Sequence, residues 1–174
     1  VQEVHQRLRD LRVNLSDPWI QLSLGTHYLD AVKNDLEPDL TTAFDLLSAA
    51  QKALPDHALI LLKLSEIKML QKDYQAAESL SKQALQLDQN NYLLYFMAAQ
   101  TLMYGPNQAV VQQWLEESVR LNPNFGYNLM TLGYVHWRNE RMDIALNLLK
   151  QAASIFPESA AMAFVQGKYY YAKG

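Results

Sequence analysis

Cysteine is absent from the 174 residues. That excludes disulfides and thiol catalysis, and it leaves the compartment open, because reducing and oxidising locations both tolerate cysteine-free chains. A surplus of positive charge is missing too. Fifteen Lys and Arg stand against 18 Asp and Glu, a formal net charge of -3, so the electrostatic footprint by which proteins grip nucleic acid is not there. The one basic cluster, Arg7, Arg9 and Arg12, spreads around more than one face of a helix and reads as solvated surface. No long apolar run occurs. The longest, Tyr92 to Ala99, is far short of the roughly 20 residues a membrane span needs, so this stretch of chain is not expected to insert in a bilayer. The chain opens at Val1 rather than at a methionine, which suggests a processed product or an excised fragment.

Signatures of chemistry are equally lacking. There is no Gly-x-Ser-x-Gly elbow, no phosphate-binding glycine loop and no His-Glu-x-x-His zinc helix. His5, His27, His57 and His136 fall on separate segments, Glu116 and Glu117 are neighbours that point to different sides of a helix, and Asp35, Glu37 and Asp39 surround a turn. No catalytic residue, metal site or cofactor is expected. Glycine and proline number six each, and 49% of the residues are apolar. That composition argues against disorder and for a folded, helical chain.

What is present is a period. From Gly126 to Pro157 two short apolar-periodic segments flank a polar break, with Leu129, Leu132, Val135 and His136 on the first and Ala145, Leu149 and Ala152 on the second. Gly133, Ala145 and Ala152 are small where the two helices must touch. Stepping back in units of 34 residues, Pro157 reaches Pro123, Gln89 and Pro55, and Ala145 reaches Val111, Ala77 and Ala43. Ala152 reaches Ser118, Ala84 and Ala50, while Gly133 reaches Ala99, Ser65 and Ala31, with Gly167 one step forward. The period and its small residues resemble those of the tetratricopeptide repeat. The resemblance implies an all-α, right-handed α-solenoid of helix-turn-helix units, a single domain over residues 1–174.

Its parts follow in order. Val4, Leu8, Leu11 and Leu15 make the first residues an amphipathic capping helix, and Ser16-Asp17-Pro18 is a start signal for a helix from Trp19 to about Asn34. Residues 1–23 are the cap and extended start, and repeats occupy about 24–57, 58–91, 92–125 and 126–159. The third unit is expected to pair Tyr92 to Tyr104 with Gln108 to Leu121. A half repeat, 160–174, ends in Tyr169, Tyr170 and Tyr171, which are not polar enough for an ordinary cap. Either the natural chain continues, or this end self-associates.

In this family the concave wall is lined by fixed positions of each unit's inner helix. Mapped here, the second unit supplies Leu59, Leu62, Glu66 and Met69, and the third supplies Leu93, Phe96, Gln100 and Met103. The fourth supplies Tyr127, Met130, Tyr134 and Trp137, and the half repeat supplies Phe164, Lys168 and Tyr171. Apart from Lys168, the lysines and asparagines with which family members grip a terminal carboxylate are missing. A wall rich in aromatics and methionine suits an apolar or amphipathic protein segment. Phe96, Tyr134 and Trp137 are expected to be exposed, because bulky aromatics gathered on one wall form a patch that monomers seldom leave bare.

The expected function is therefore a non-enzymatic protein-protein interaction module. Two other readings stand beside it. The layout of a capping helix, then Trp19 to Tyr28, then Ala43 to Leu47 leading to Leu54 to Ala58 loosely looks like the helical effector region of membrane-anchored, acid-sensing transcription activators of the CadC type, and the repeats also suit a periplasmic assembly factor or chaperone.

Overall fold

The computed structural model describes residues 14–34 and 40–156; the amphipathic start, the half repeat and its proposed self-association lie outside them. The described residues form eight α-helices and no strand. The chain divides into two compact units, Val1–Asp88 and Gln89–Gly174.

In the first unit α1 (Pro18–Lys33) pairs with α2 (Leu40–Ala53), and α3 (Ala58–Leu70) with α4 (Tyr74–Leu87). Asp17 starts α1: its carboxylate accepts from the backbone N–H groups of Trp19 and Ile20 at 2.8 and 3.3 Å, and Pro18, needing no such partner, takes the first position. Asp73 caps α4 in the same way through the N–H of Ala76. The core is aliphatic, with Leu29, Leu47, Ile60, Leu62 and Ile67 all fully buried. Each such side chain contributes roughly 1.5–3 kcal/mol through burial.

Helix contacts fall on the small residues of the period. Ala43, Ala77, Val111 and Ala145 are buried, as are Ala50, Ala84, Ser118 and Ala152. Between α3 and α4 the contact is polar, since Ser65 Oγ donates to the Ala77 carbonyl at 2.7 Å and meets Ser81 Oγ at 2.8 Å. Between α1 and α2 the contact departs from the expected place. Gly25, not Ala31, is the residue without room for a side chain, because a Cβ there would lie 2.7 Å from Leu47 Cγ. Ala31 is only half-buried. Gly25 and Leu47 are further apart in sequence than the 16 residues that separate Ser65 from Ser81, so the first pair carries extra residues between its contact points, partly in a longer end of α1 and partly before α2. A count in fixed steps overshoots by that amount.

In the second unit α5 (Tyr92–Leu102) pairs with α6 (Gln108–Leu121), and α7 (Gly126–Arg138) with α8 (Met142–Ile155). Asn91 and Asn107 cap α5 and α6. Two glycines set the approach of α7 to α8: a Cβ at Gly133 would meet Leu149 Cγ at 3.0 Å, and one at Gly126 would collide with the Phe156 ring. Two side chains tie α6 to its neighbours, as Ser118 Oγ donates to the Tyr92 carbonyl at 2.7 Å and buried Asn128 donates to the Leu115 carbonyl at 3.2 Å.

Helix α5 ends at Leu102, short of the expected Tyr104. The turns after α3 and α7 explain why. There Lys72 and Glu140 take the left-handed conformation (φ 62° and 60°), and two backbone bonds close each helix, from Lys72 to Met69 and Asp73 to Lys68, and from Glu140 to Trp137 and Arg141 to His136. The position one period after Lys72 is Pro106, whose ring fixes φ near -65° and forbids that conformation. The chain turns earlier instead. Gly105 N–H donates to the Leu102 carbonyl at 2.8 Å, and the Gln108 side chain closes the loop on the Met103 and Gly105 carbonyls. Tyr104 is left outside any helix, 82% exposed.

Candidate binding surface

A cleft of about 430 Å³ opens between the end of α5 and α7, lined by Gln100, Met103, Tyr104, Met130, Thr131 and Tyr134. None of these side chains is charged. Thr131 turns its hydroxyl back to the Tyr127 carbonyl at 2.8 Å, which leaves its methyl to the surface. Tyr134 stacks on Trp137 with ring centroids 5.8 Å apart, and the Arg138 guanidinium lies 5.9 Å from the centre of the same ring. Each of those partners is three or four residues on along α7, the spacing at which helix side chains meet.

Beside the cleft, aromatic rings form a continuous run. Phe125 packs edge-on against Tyr92 and Phe96 at 5.2 and 5.1 Å, and Tyr127 leans on Phe125 and Phe156 at 6.0 and 5.0 Å. This run separates the residues expected on one wall into two classes. Tyr127, Leu93 and Tyr134 keep their exposure, and Gln100 is open to solvent. Phe96 does not. It is buried beneath Phe125, and Met103, which shows only its edge to the cleft, is buried as well. Trp137 is half-buried, held flat by its stack with Tyr134.

The first unit places its expected wall residues differently. Leu62 is fully buried, and Leu59 packs against the core. Glu66 is taken up by two ammonium groups, Lys33 and Lys63, each at 2.8 Å. A smaller cleft of about 250 Å³ lies elsewhere in this unit, where Trp19, 56% exposed, meets the His57 ring edge-on at 5.2 Å over Leu54 and Pro55. Phe164 and Tyr171 lie outside the described residues.

Two features of the surface escaped the sequence. Tyr104 falls at none of the lining positions of the third unit, and only the Gly105-Pro106 pair signals that the chain turns early there. Trp19, at the start of α1 and at no lining position of the period, has more than half of its surface in solvent. His136 is buried among apolar side chains, and burial first, then the positive charge of Arg141, holds its imidazole below the ordinary value of 6.5, with Glu116 opposing. Among the described residues no group of His, Asp and Glu is arranged to hold a metal ion, and no helix is long and apolar enough to cross a membrane.

Comparison with known proteins agrees with this architecture. A family model described as a tetratricopeptide repeat matches residues 58–91. A search of curated proteins returns no match. Among solved structures, the MamA protein is 20% identical, with 88% of this chain aligned to 83% of that one at a TM-score of 0.65. PilF of Pseudomonas aeruginosa is 17% identical over 90% of this chain and 68% of its own, with a TM-score of 0.75. The first such domain of Spaghetti (RPAP3), solved with the HSP90 peptide SRMEEVD, is 17% identical over 66% of this chain and 91% of its own, with a TM-score of 0.58.

Proposed function

This chain has the all-α fold of tetratricopeptide-repeat proteins and carries one repeat of that family at 58–91, and we propose that it is a protein-interaction module whose second unit takes an apolar or amphipathic segment of a partner. The observation that carries the reading is the uncharged cleft between α5 and α7, with Tyr104 and Tyr134 exposed in its lining and Leu93 and Tyr127 exposed on the same two helices. Tyrosine supplies large contact area with few rotatable bonds, and it keeps a hydroxyl for the wet edge of an interface. Methionines beneath, Met103 and Met130, adapt to an irregular side chain. Glu66, Leu59 and Leu62 serve the first unit's own packing, so the partner surface narrows to Gln100, Met103, Tyr127, Met130, Tyr134 and Trp137, with Tyr104 added.

A peptide partner has a precedent among chains of this fold, since the Spaghetti domain was solved with a peptide bound. The single-domain organisation, with repeats at about 24–57, 58–91, 92–125 and 126–159 and a half repeat at 160–174, belongs to the same proposal. So does a continuation of the surface onto the half repeat, through Phe164 and Tyr171.

Site-specific photo-crosslinking tests it. A photoreactive residue in place of Thr131, inside the cleft, is expected to trap a partner segment. The same residue in place of Gln113, exposed on α6, is expected to trap none. Equal trapping from both positions, or trapping from position 113 alone, overturns the assignment of the surface.

A further inference from the structure

The cleft is neutral, but its edge is not. Arg138 is exposed, lies over the Tyr134 ring, and makes no ion pair or hydrogen bond among the described residues. Four other cations of the fold meet a carboxylate, Arg120 with Glu117, Lys82 with Glu78, and Lys33 and Lys63 with Glu66; Arg138 is set apart by lying over a ring that lines the cleft. An arginine resting on an aromatic face has already given up part of its rotamer freedom, so less is lost when it closes on a carboxylate. Inside the cleft the balance is opposite. A ligand charge there would be desolvated against methionine and ring carbons with no counter-charge.

We propose that the second unit selects a peptide in which one bulky apolar side chain fills the cleft and an acidic residue close by in sequence meets Arg138. The proposal rests on the interaction-module reading above and adds the chemistry of the partner. Geometry limits the spacing. Arg138 lies one tyrosine ring beyond the cleft, 5.9 Å from the ring centre, and an extended peptide covers about 3.3 Å per residue. The acidic residue therefore stands about two or three positions from the anchor in an extended ligand, or one turn away, about three or four positions, in a helical one. Pro106 has a part in this site without touching it, because the early turn it imposes puts Tyr104 at the cleft.

The test uses the full chain and blocked, fluorescein-labelled peptides of alanine, glycine and serine. Each carries a single leucine, phenylalanine or tryptophan anchor, with aspartate, asparagine or lysine at each of the next few positions. Fluorescence anisotropy is followed to millimolar protein. At one favoured spacing the aspartate peptide is expected to bind about fivefold more tightly than its asparagine counterpart, the margin of a good exposed ion pair, and the lysine peptide more weakly than either. High salt should shrink that margin. Arg138→Gln should remove the aspartate preference and Arg138→Lys retain part of it, with far-UV circular dichroism unchanged in both. Equal affinities for aspartate and asparagine at every spacing, with the anchor still required, overturn the acidic rule while leaving the interaction surface in place. Failure of every peptide to bind overturns the proposal, and crosslinking from position 131 then decides the broader reading by itself.

Discussion

Individual residues carry two testable consequences. His136 is held neutral by burial and by the charge of Arg141. The unfolded chain takes up its proton near the ordinary value of 6.5, whereas the folded protein resists until the pH is lower. The stabilisation is thus complete above about pH 6.5 and is lost progressively as the pH falls from there through the depressed folded value. Urea unfolding followed across that window should show stability dropping towards acid, and His136→Phe should flatten part of the slope. Identical slopes in both proteins would refute the assignment. The serine pair behaves differently, since Ser65 and Ser81 satisfy one another inside the first unit. Ser65→Ala strands a buried hydroxyl and takes the donor from the Ala77 carbonyl, at a cost of about 1–2 kcal/mol. The double variant with Ser81→Ala removes both partners and should be less destabilised than Ser65→Ala alone. Strict additivity in the unfolding free energies would show that the two hydroxyls do not depend on each other.

At the scale of elements, the turns decide where helices end. Lys72 and Glu140 hold the same left-handed conformation 68 residues apart by their numbers, and that conformation costs an L-residue roughly 1–2 kcal/mol. Glycine is free of this cost but loses more entropy on folding. Glu140→Gly is expected to raise stability by about 0.5–1 kcal/mol, seen as a higher urea midpoint with an unchanged slope; a lower midpoint would contradict the turn geometry. The same comparison shows what could be read in advance. Small residues at Ala43, Ala77, Ala145 and their partners one helix-length on announced the paired helices, because close approach demands them wherever the helix lies. Exposure was less legible. Helices α3 and α5, Ala58–Leu70 and Tyr92–Leu102, are apolar on nearly every side, so no stripe distinguishes a core face from an open one. Phe96 and Leu62 were lost to the interior for that reason, and Gly25 was missed because the extra residues between the contact points of α1 and α2 break the count.

For the whole molecule, charge and aromatic exposure act together. The sequence has a pI of about 5.8, so the net charge of -3 near neutrality disappears within a little more than one pH unit. Near zero charge nothing long-ranged keeps copies apart, while Trp19, Leu93, Tyr104 and Tyr127 still present apolar surface. Light scattering at low salt should therefore rise to a maximum near pH 5.8. Two kinds of variant separate the contributions. Tyr104→Ser combined with Leu93→Gln removes exposed apolar area and no titrating group, so the maximum should fall in height and stay at the same pH. Lys150→Glu, at an exposed position of α8, leaves the patch intact and makes the chain more acidic, so the maximum should move to lower pH at similar height. If the surface variant shifted the maximum, or the charge variant only lowered it, the exposed rings would not be what drives copies together.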